Sequence, residues 1–222
     1  MTGQVMIEQK HLDEARAAAW RYWQTLERDP GRGHVTAGNG PVVIVDAQAL
    51  AITLPEILDD LLGGAGSNLT IYSFGKSYGV AAAQHFQTWS VAQGKDDESG
   101  RYGALYWPMH AGLAPRVTIL EAHAVPHVRF LIEIADGVLN QIRSARGLDT
   151  KPARMFVSGV VSGALATALE RPLEARELPG TKGSYRIVVA PAEILAQDLE
   201  DPALAAPIES FRNAIVLEAG AP

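Results

Sequence analysis

Cysteine is absent from the 222 residues. That excludes disulfides and any thiolate metal site. Positive charge is scarce as well: 19 Lys and Arg against 25 Asp and Glu leave a formal net charge of −6. No basic cluster or stripe interrupts that balance, so no nucleic-acid surface is expected. Long apolar runs are also missing. Val42 to Val45 is too short, and Val157 to Leu169 too rich in glycine, to span a bilayer. The N-terminus lacks the basic-then-apolar order of a signal peptide, and a cytoplasmic location without a membrane partner is expected on that ground.

The motifs of common chemistries are missing too. There is no Gly-x-Ser-x-Gly elbow, no dinucleotide fingerprint and no carboxylate cluster. Gly75-Lys76-Ser77 has the tail of a phosphate-binding loop, but Thr70 stands where that loop needs its first glycine. Of the six histidines, His123 and His127 come closest to a pair, across a turn where solvated residues are the ordinary case. Ser158 and Ser162 lack an obvious base. No catalytic residue, metal or cofactor is assigned.

What is present suits a folded core, with 47% hydrophobic and 20% charged residues. Glu8 to Arg28 has helical apolar spacing through Leu12, Ala15, Ala19, Tyr22, Trp23 and Leu26, and Asp29-Pro30-Gly31 stops it. Its aromatic load suits either a core cover or a dimer contact. Gly38 to Pro41 reads as a turn and Val42 to Val45 as a strand. Two helices follow, Ala47 to Leu62 and Ser67 to Gln93, separated by Gly63, Gly64 and Gly66. The polar stretch Gln93 to Gly103 is a surface loop. Arg116 to Glu121 and Val128 to Ile134 read as antiparallel strands, and Asp136 to Arg146 as a helix. Ala192 to Leu199 is a further helix, and Ile208, Phe211 and Ile215 suggest one more in the tail.

The segment Met155 to Pro191 organises the rest. Gly159 and Gly163 stand four apart in an apolar helix, as do Gly75 and Gly79 earlier. Glycine in a helix costs about 1 kcal/mol relative to alanine, so such pairs predict a second backbone packed close against that face. Pro172 ends the helix. Leu173 to Leu178 and Tyr185 to Val189 are strands around the turn at Pro179 to Gly183. The sum is α+β, an antiparallel sheet covered by helices. Residues 1–40 form an N-terminal helical extension suited to dimerisation, 41–192 the main domain and 193–222 a helical tail.

The Gly-x-x-x-Gly helix, Arg171-Pro172, the strand through Arg176-Glu177, the glycine turn and the apolar strand resemble the end of the 4-vinyl-reductase domain. This small-molecule-binding module also occurs in the sensor half of aromatic-responsive transcription activators, and its fold is shared with nitric-oxide sensors. The resemblance extends over roughly Val42 to Pro191. It implies a sensor or carrier for a hydrophobic, aromatic ligand, acting through a partner or its own dimer. The alternative is a reductase or accessory enzyme of tetrapyrrole metabolism. The activators bind zinc at this turn through a Glu and several Cys; Glu177 is kept here, but without cysteine that site cannot form.

The resemblance also implies that His110, after Trp107-Pro108-Met109, hydrogen-bonds a ligand hydroxyl; read by itself, it is equally a half-buried imidazole bonded to a backbone carbonyl. Ile132 or Glu133 stands where the activators place a second polar contact. Phe74, Tyr78, Tyr106, Trp107, Phe130 and Phe156 are the aromatic candidates for the pocket wall. That pocket is expected between the two glycine helices, the Tyr106 to His110 segment and the strand through Phe130.

Overall fold

The computed structural model describes residues 9–29, 31, 34–38, 40–42, 45–94, 102–123, 128–178, 183–197 and 215–218. The expected turn at 124–126, the paired His127, most of the 93–103 loop, the glycine turn at 179–182, and Ile208 and Phe211 lie outside them.

Helix α1 (Gln9–Gln24) ends earlier than its apolar spacing predicts. Thr25 donates its hydroxyl to the Tyr22 carbonyl at 2.6 Å, and Thr25 Oγ1 accepts the Gly38 N–H at 2.5 Å. The chain then leaves as strand β1 (Glu27–Asp29), which pairs with β2 (His34–Ala37), itself paired with β3 (Gly40–Val42). This small sheet was not foreseen: Gly40–Val42 is its third strand, and Val45, placed in a strand by sequence, is half-exposed outside it.

A short π-helix (Ala49–Thr53) leads into α2 (Leu54–Ala92). The widened turn leaves the Ala51 carbonyl to the buried Arg143, whose Nη1 donates to it at 2.6 Å. Helix α2 is two limbs, as the glycines at 63, 64 and 66 predict. Gly63 breaks it with φ 69° and ψ 164°, a conformation that side chains with a Cβ avoid. A 3-10 turn (Ala104–Tyr106) and the single-turn α3 (Trp107–His110) follow.

The main sheet has the order β6-β7-β5-β4-β8 and is antiparallel throughout. Its strands are β4 (Arg116–His123), β5 (Arg129–Ala135), β6 (Glu174–Leu178), β7 (Ser184–Ala190) and β8 (Ile215–Glu218). Strand β8 corrects the expectation of a tail helix through Ile215. Four residues rich in β-branched and apolar side chains take the open edge of β4, where backbone pairing outweighs helical spacing. A bulge between Ile119 and Glu121 shifts the β4–β5 register just beyond the part of β4 that β8 pairs with.

Alternate residues Val117, Ile119, Phe130, Ile132, Ile134 and Ile187 belong to the principal core, under helix α5 (Lys151–Ala168). On the opposite face, Leu131 and Val188 pack with Ile194 and Leu195 of α6 (Ala192–Gln197). Helix α4 (Val138–Ala145) joins β5 to α5. The architecture is α+β, an antiparallel sheet with helices on its faces. Among the described residues, no helix is long and apolar enough to cross a membrane.

The glycine pairs do what their spacing predicts. A Cβ on Gly75 would run into the Phe156 carbonyl oxygen, and one on Gly79 into that of Val160. From the other side, Gly159 faces the Tyr72 carbonyl and Gly163 that of Lys76. Helices α2 and α5 therefore meet backbone to backbone, and neither carbonyl row can retreat without unwinding its helix. At these four glycines the two helices leave no space between them. We predict that Gly79→Ala destabilises the fold by about 2 kcal/mol or more, whereas Gly64→Ala, whose Cβ would meet its nearest neighbour only at 3.4 Å, changes stability by less than about 0.5 kcal/mol. Urea denaturation of both variants checks the contrast, and equal midpoints would remove the packing argument.

Candidate functional site

The space enclosed by the sheet and α5 is a small apolar crevice. The sheet contributes Val117, Ile119, Ile132 and Leu217; α5 contributes Val161, Ala164 and Leu165; Leu105 and Pro108 close one side. Its volume is about 10 Å³, enough for one water-sized body. Every lining residue is apolar, and the Pro108 carbonyl is already committed to the Leu113 and Ala114 N–H groups at 2.8 and 3.1 Å.

None of the seven residues singled out from sequence is in that lining. Tyr106 is buried and donates its hydroxyl to the Leu12 carbonyl of α1 at 3.1 Å, and burial pushes its phenol up to about 12. Trp107 is buried against Trp23, ring centroids 4.7 Å apart, and its indole N–H donates to the Tyr78 hydroxyl at 3.1 Å. Phe130 is buried in the sheet. Phe156 lies beneath Phe74 and Tyr78, at 5.7 and 6.0 Å, and these two are 47% and 37% exposed. Two clusters result: Tyr106 and Trp107 under α1, and Phe74, Tyr78 and Phe156 at the surface of the α2–α5 pair, bridged by the Tyr78–Trp107 bond.

His110 is half-buried at the end of α3. Its ring stands 6.0 Å from Trp20 and 6.2 Å from Trp23, both on α1, and its Nε2 is buried without a hydrogen-bond partner. Burial lowers its pKa, and the Arg16 guanidinium nearby lowers it further. The neighbouring α1 residue Tyr22 sits at the centre of the aromatic cluster, its hydroxyl 3.2 Å from His85 Nδ1 and its ring 5.4 Å from Trp89. The aromatic load of the N-terminal helix thus covers the chain's own core.

Sequence reading missed a polar network that ties the two glycine helices to the sheet. The Tyr72 hydroxyl donates to Glu174 Oε2 at 2.8 Å, accepts the Ala175 N–H at 2.8 Å and stands 3.4 Å from Ser162 Oγ. Ser162 donates onward to the Leu173 carbonyl at 3.1 Å, and Lys76 pairs with Glu174. Burial pushes the Tyr72 phenol up to about 12. The spacing of Tyr72 and Ser162 from the glycines of the same helices was the available signal. The crevice residues carried none, because β-branched and leucine side chains on alternating strand positions look like any core.

Near the glycine turn, Glu177 Oε1 lies 2.7 Å from Arg154 Nε, and the Arg154 guanidinium stacks on the Tyr185 ring at 5.9 Å. The carboxylate that resemblance would give to zinc is neutralised by a guanidinium. Among the described residues, no group of three or more His, Cys, Asp or Glu stands where it could hold a metal ion.

The lowered pKa of His110 makes the stability of the fold depend on pH. The unfolded chain takes the proton near 6.5, the folded chain only at lower pH. The imidazole therefore costs nothing above that value and subtracts stability as pH falls from it toward the folded pKa. Urea midpoints at pH 7.5 and 5.5 should fall further for the wild type than for His110→Asn. Equal falls would mean that the ring titrates as freely in the fold as outside it.

No protein-family model matches the chain, and none of the curated proteins matches it. Among solved structures, the phenol-responsive sensory domain of the transcription activator PoxR, crystallised with phenol, superposes with a TM-score of 0.64 at 19% identity. The match covers 87% of this chain and 98% of that one. At that identity the likeness is one of architecture: the chain shares the α+β fold of that domain.

Proposed function

We propose that this chain is the ligand-binding domain of a sensor or carrier for small aromatic compounds. The observation that carries the reading is the fold shared, over nearly the whole of both chains, with a phenol-responsive sensory domain. The apolar crevice between sheet and α5 supports it, since ligand sites are concave and lined mainly by apolar groups. A guest at about 100 times its Kd adds about 2.7 kcal/mol, which raises Tm by about 5–10 °C in a domain of this size. Thermal unfolding with phenol, toluene and their methylated relatives should show that rise for at least one. No rise with any of them, up to their solubility, would end the reading.

A second placement of the guest is favoured by one observation, the buried and unpartnered Nε2 of His110. A phenolic hydroxyl reaching it beneath α1, beside Trp107 and Tyr106, would satisfy it. Loss of one neutral hydrogen bond costs about 0.5–1.5 kcal/mol, so this placement requires His110→Ala to weaken phenol several-fold and leave toluene unchanged.

The proposal includes pairing with a second copy, through which occupancy is transmitted. The exposed Phe74 and Tyr78, backed by Phe156, offer aromatic surface of the kind enriched at interfaces. Light scattering should give a dimer that Phe74→Glu converts to monomer. A monomeric wild type at about 50 µM, a range in which weak pairs persist, would overturn it.

A further inference from the structure

The lining of the crevice narrows the chemistry of the guest. Val117, Ile119, Ile132 and Leu217 below, and Val161, Ala164 and Leu165 above, present only hydrocarbon. A hydroxyl carried into this space has no side chain to meet, and the Pro108 carbonyl is already bonded twice. Burying an unsatisfied hydroxyl is penalised, whereas an all-carbon ring loses nothing there.

The crevice is also too small as it stands. An apolar cavity of about 150 Å³ takes benzene, against the present ≈ 10 Å³, so one wall must give way. Val161, Ala164 and Leu165 are fixed by the glycine contact of α5 with α2. Val117, Ile119 and Ile132 belong to strands paired on both sides. Leu217 is different. It is buried, 1% exposed, yet it belongs to a four-residue edge strand paired with β4 alone among the described residues.

Resting on the sensor reading, we propose that the crevice takes an aromatic hydrocarbon without a hydroxyl, admitted by displacement of Leu217 and its strand β8. Guest binding and β8 docking then compete for the same volume. The Ile215–Glu218 segment reports occupancy by leaving the edge of β4, and the register Val117↔Leu217 is the contact that breaks. Leu217 sets the size of guest that enters, and the absence of a polar partner sets its class.

The test uses the full chain with two probes, toluene and phenol. By calorimetry, toluene should bind at least about ten-fold more tightly than phenol, as expected for burial of an unpaired hydroxyl. Hydrogen exchange on the wild type should show the amides of residues 215–218, and those of Arg116–Ile119 that face them, losing protection with toluene while β5, β6 and β7 keep theirs. Leu217→Ala should raise toluene affinity several-fold, and Ala164→Leu, which fills the crevice from the helix side, should abolish it. Toluene bound with residues 215–218 still protected and affinity unchanged in Leu217→Ala would overturn the displacement while leaving the sensor reading intact. Phenol bound more tightly than toluene, and weakened by His110→Ala, would overturn the proposal in favour of the site beneath α1. Binding of neither probe would overturn this proposal, and the sensor reading falls with it only if the methylated relatives also leave Tm unchanged.

Discussion

The backbone contact between α2 and α5 is the constraint on which the rest of the molecule depends. Four glycines, Gly75 and Gly79 on one helix and Gly159 and Gly163 on the other, each face a carbonyl of the opposite helix at a distance no Cβ permits. Side chains yield by changing rotamer, but a helical carbonyl yields only with its helix. The pair therefore behaves as one rigid slab laid on the sheet. Each glycine costs helix propensity, and the close packing along both helices offsets it.

The slab is then fixed to the sheet by the Tyr72 hydroxyl, which bonds the β6 backbone at Ala175 and the Glu174 carboxylate, with Ser162 holding the Leu173 carbonyl beside it. These groups are buried or half-buried, so each bond left unmade would cost the desolvation of its partner. On the other side, α1 seals the slab with an aromatic cluster around Tyr22, and α3 carries Trp107 and His110 into the same cluster.

Much of this was legible in the chain. The order of helix, proline and two strands from Met155 to Pro191, the glycine break of α2 and the β4–β5 pair all follow from local rules of spacing and backbone conformation. What did not follow was tertiary. Strands β1 and β2 form because Thr25 ends a helix whose apolar spacing continues to Leu26. Ile215 joins a strand because β4 has an open edge, which no local window contains. The aromatic candidates were chosen by size, yet the enclosed space is bounded by ordinary aliphatic residues. Large rings fill volume, and in this core Tyr106, Trp107 and Phe130 are filling, while the void lies where α5 presents Ala164 to the sheet.

The connectivity of β8 bears on the order in which the sheet assembles. Strands β4 and β5 are sequence neighbours, as are β6 and β7, and each pair closes through a short connection. Strand β8 returns from the far end of the chain to pair with β4, across β5, α4, α5, β6, β7 and α6. Closing a loop that long carries the largest entropic cost of any pairing in the sheet. Among the described strands, the one that floors part of the crevice is therefore the last in sequence and the costliest to close, so an aromatic solute present during folding meets a sheet whose edge is still open.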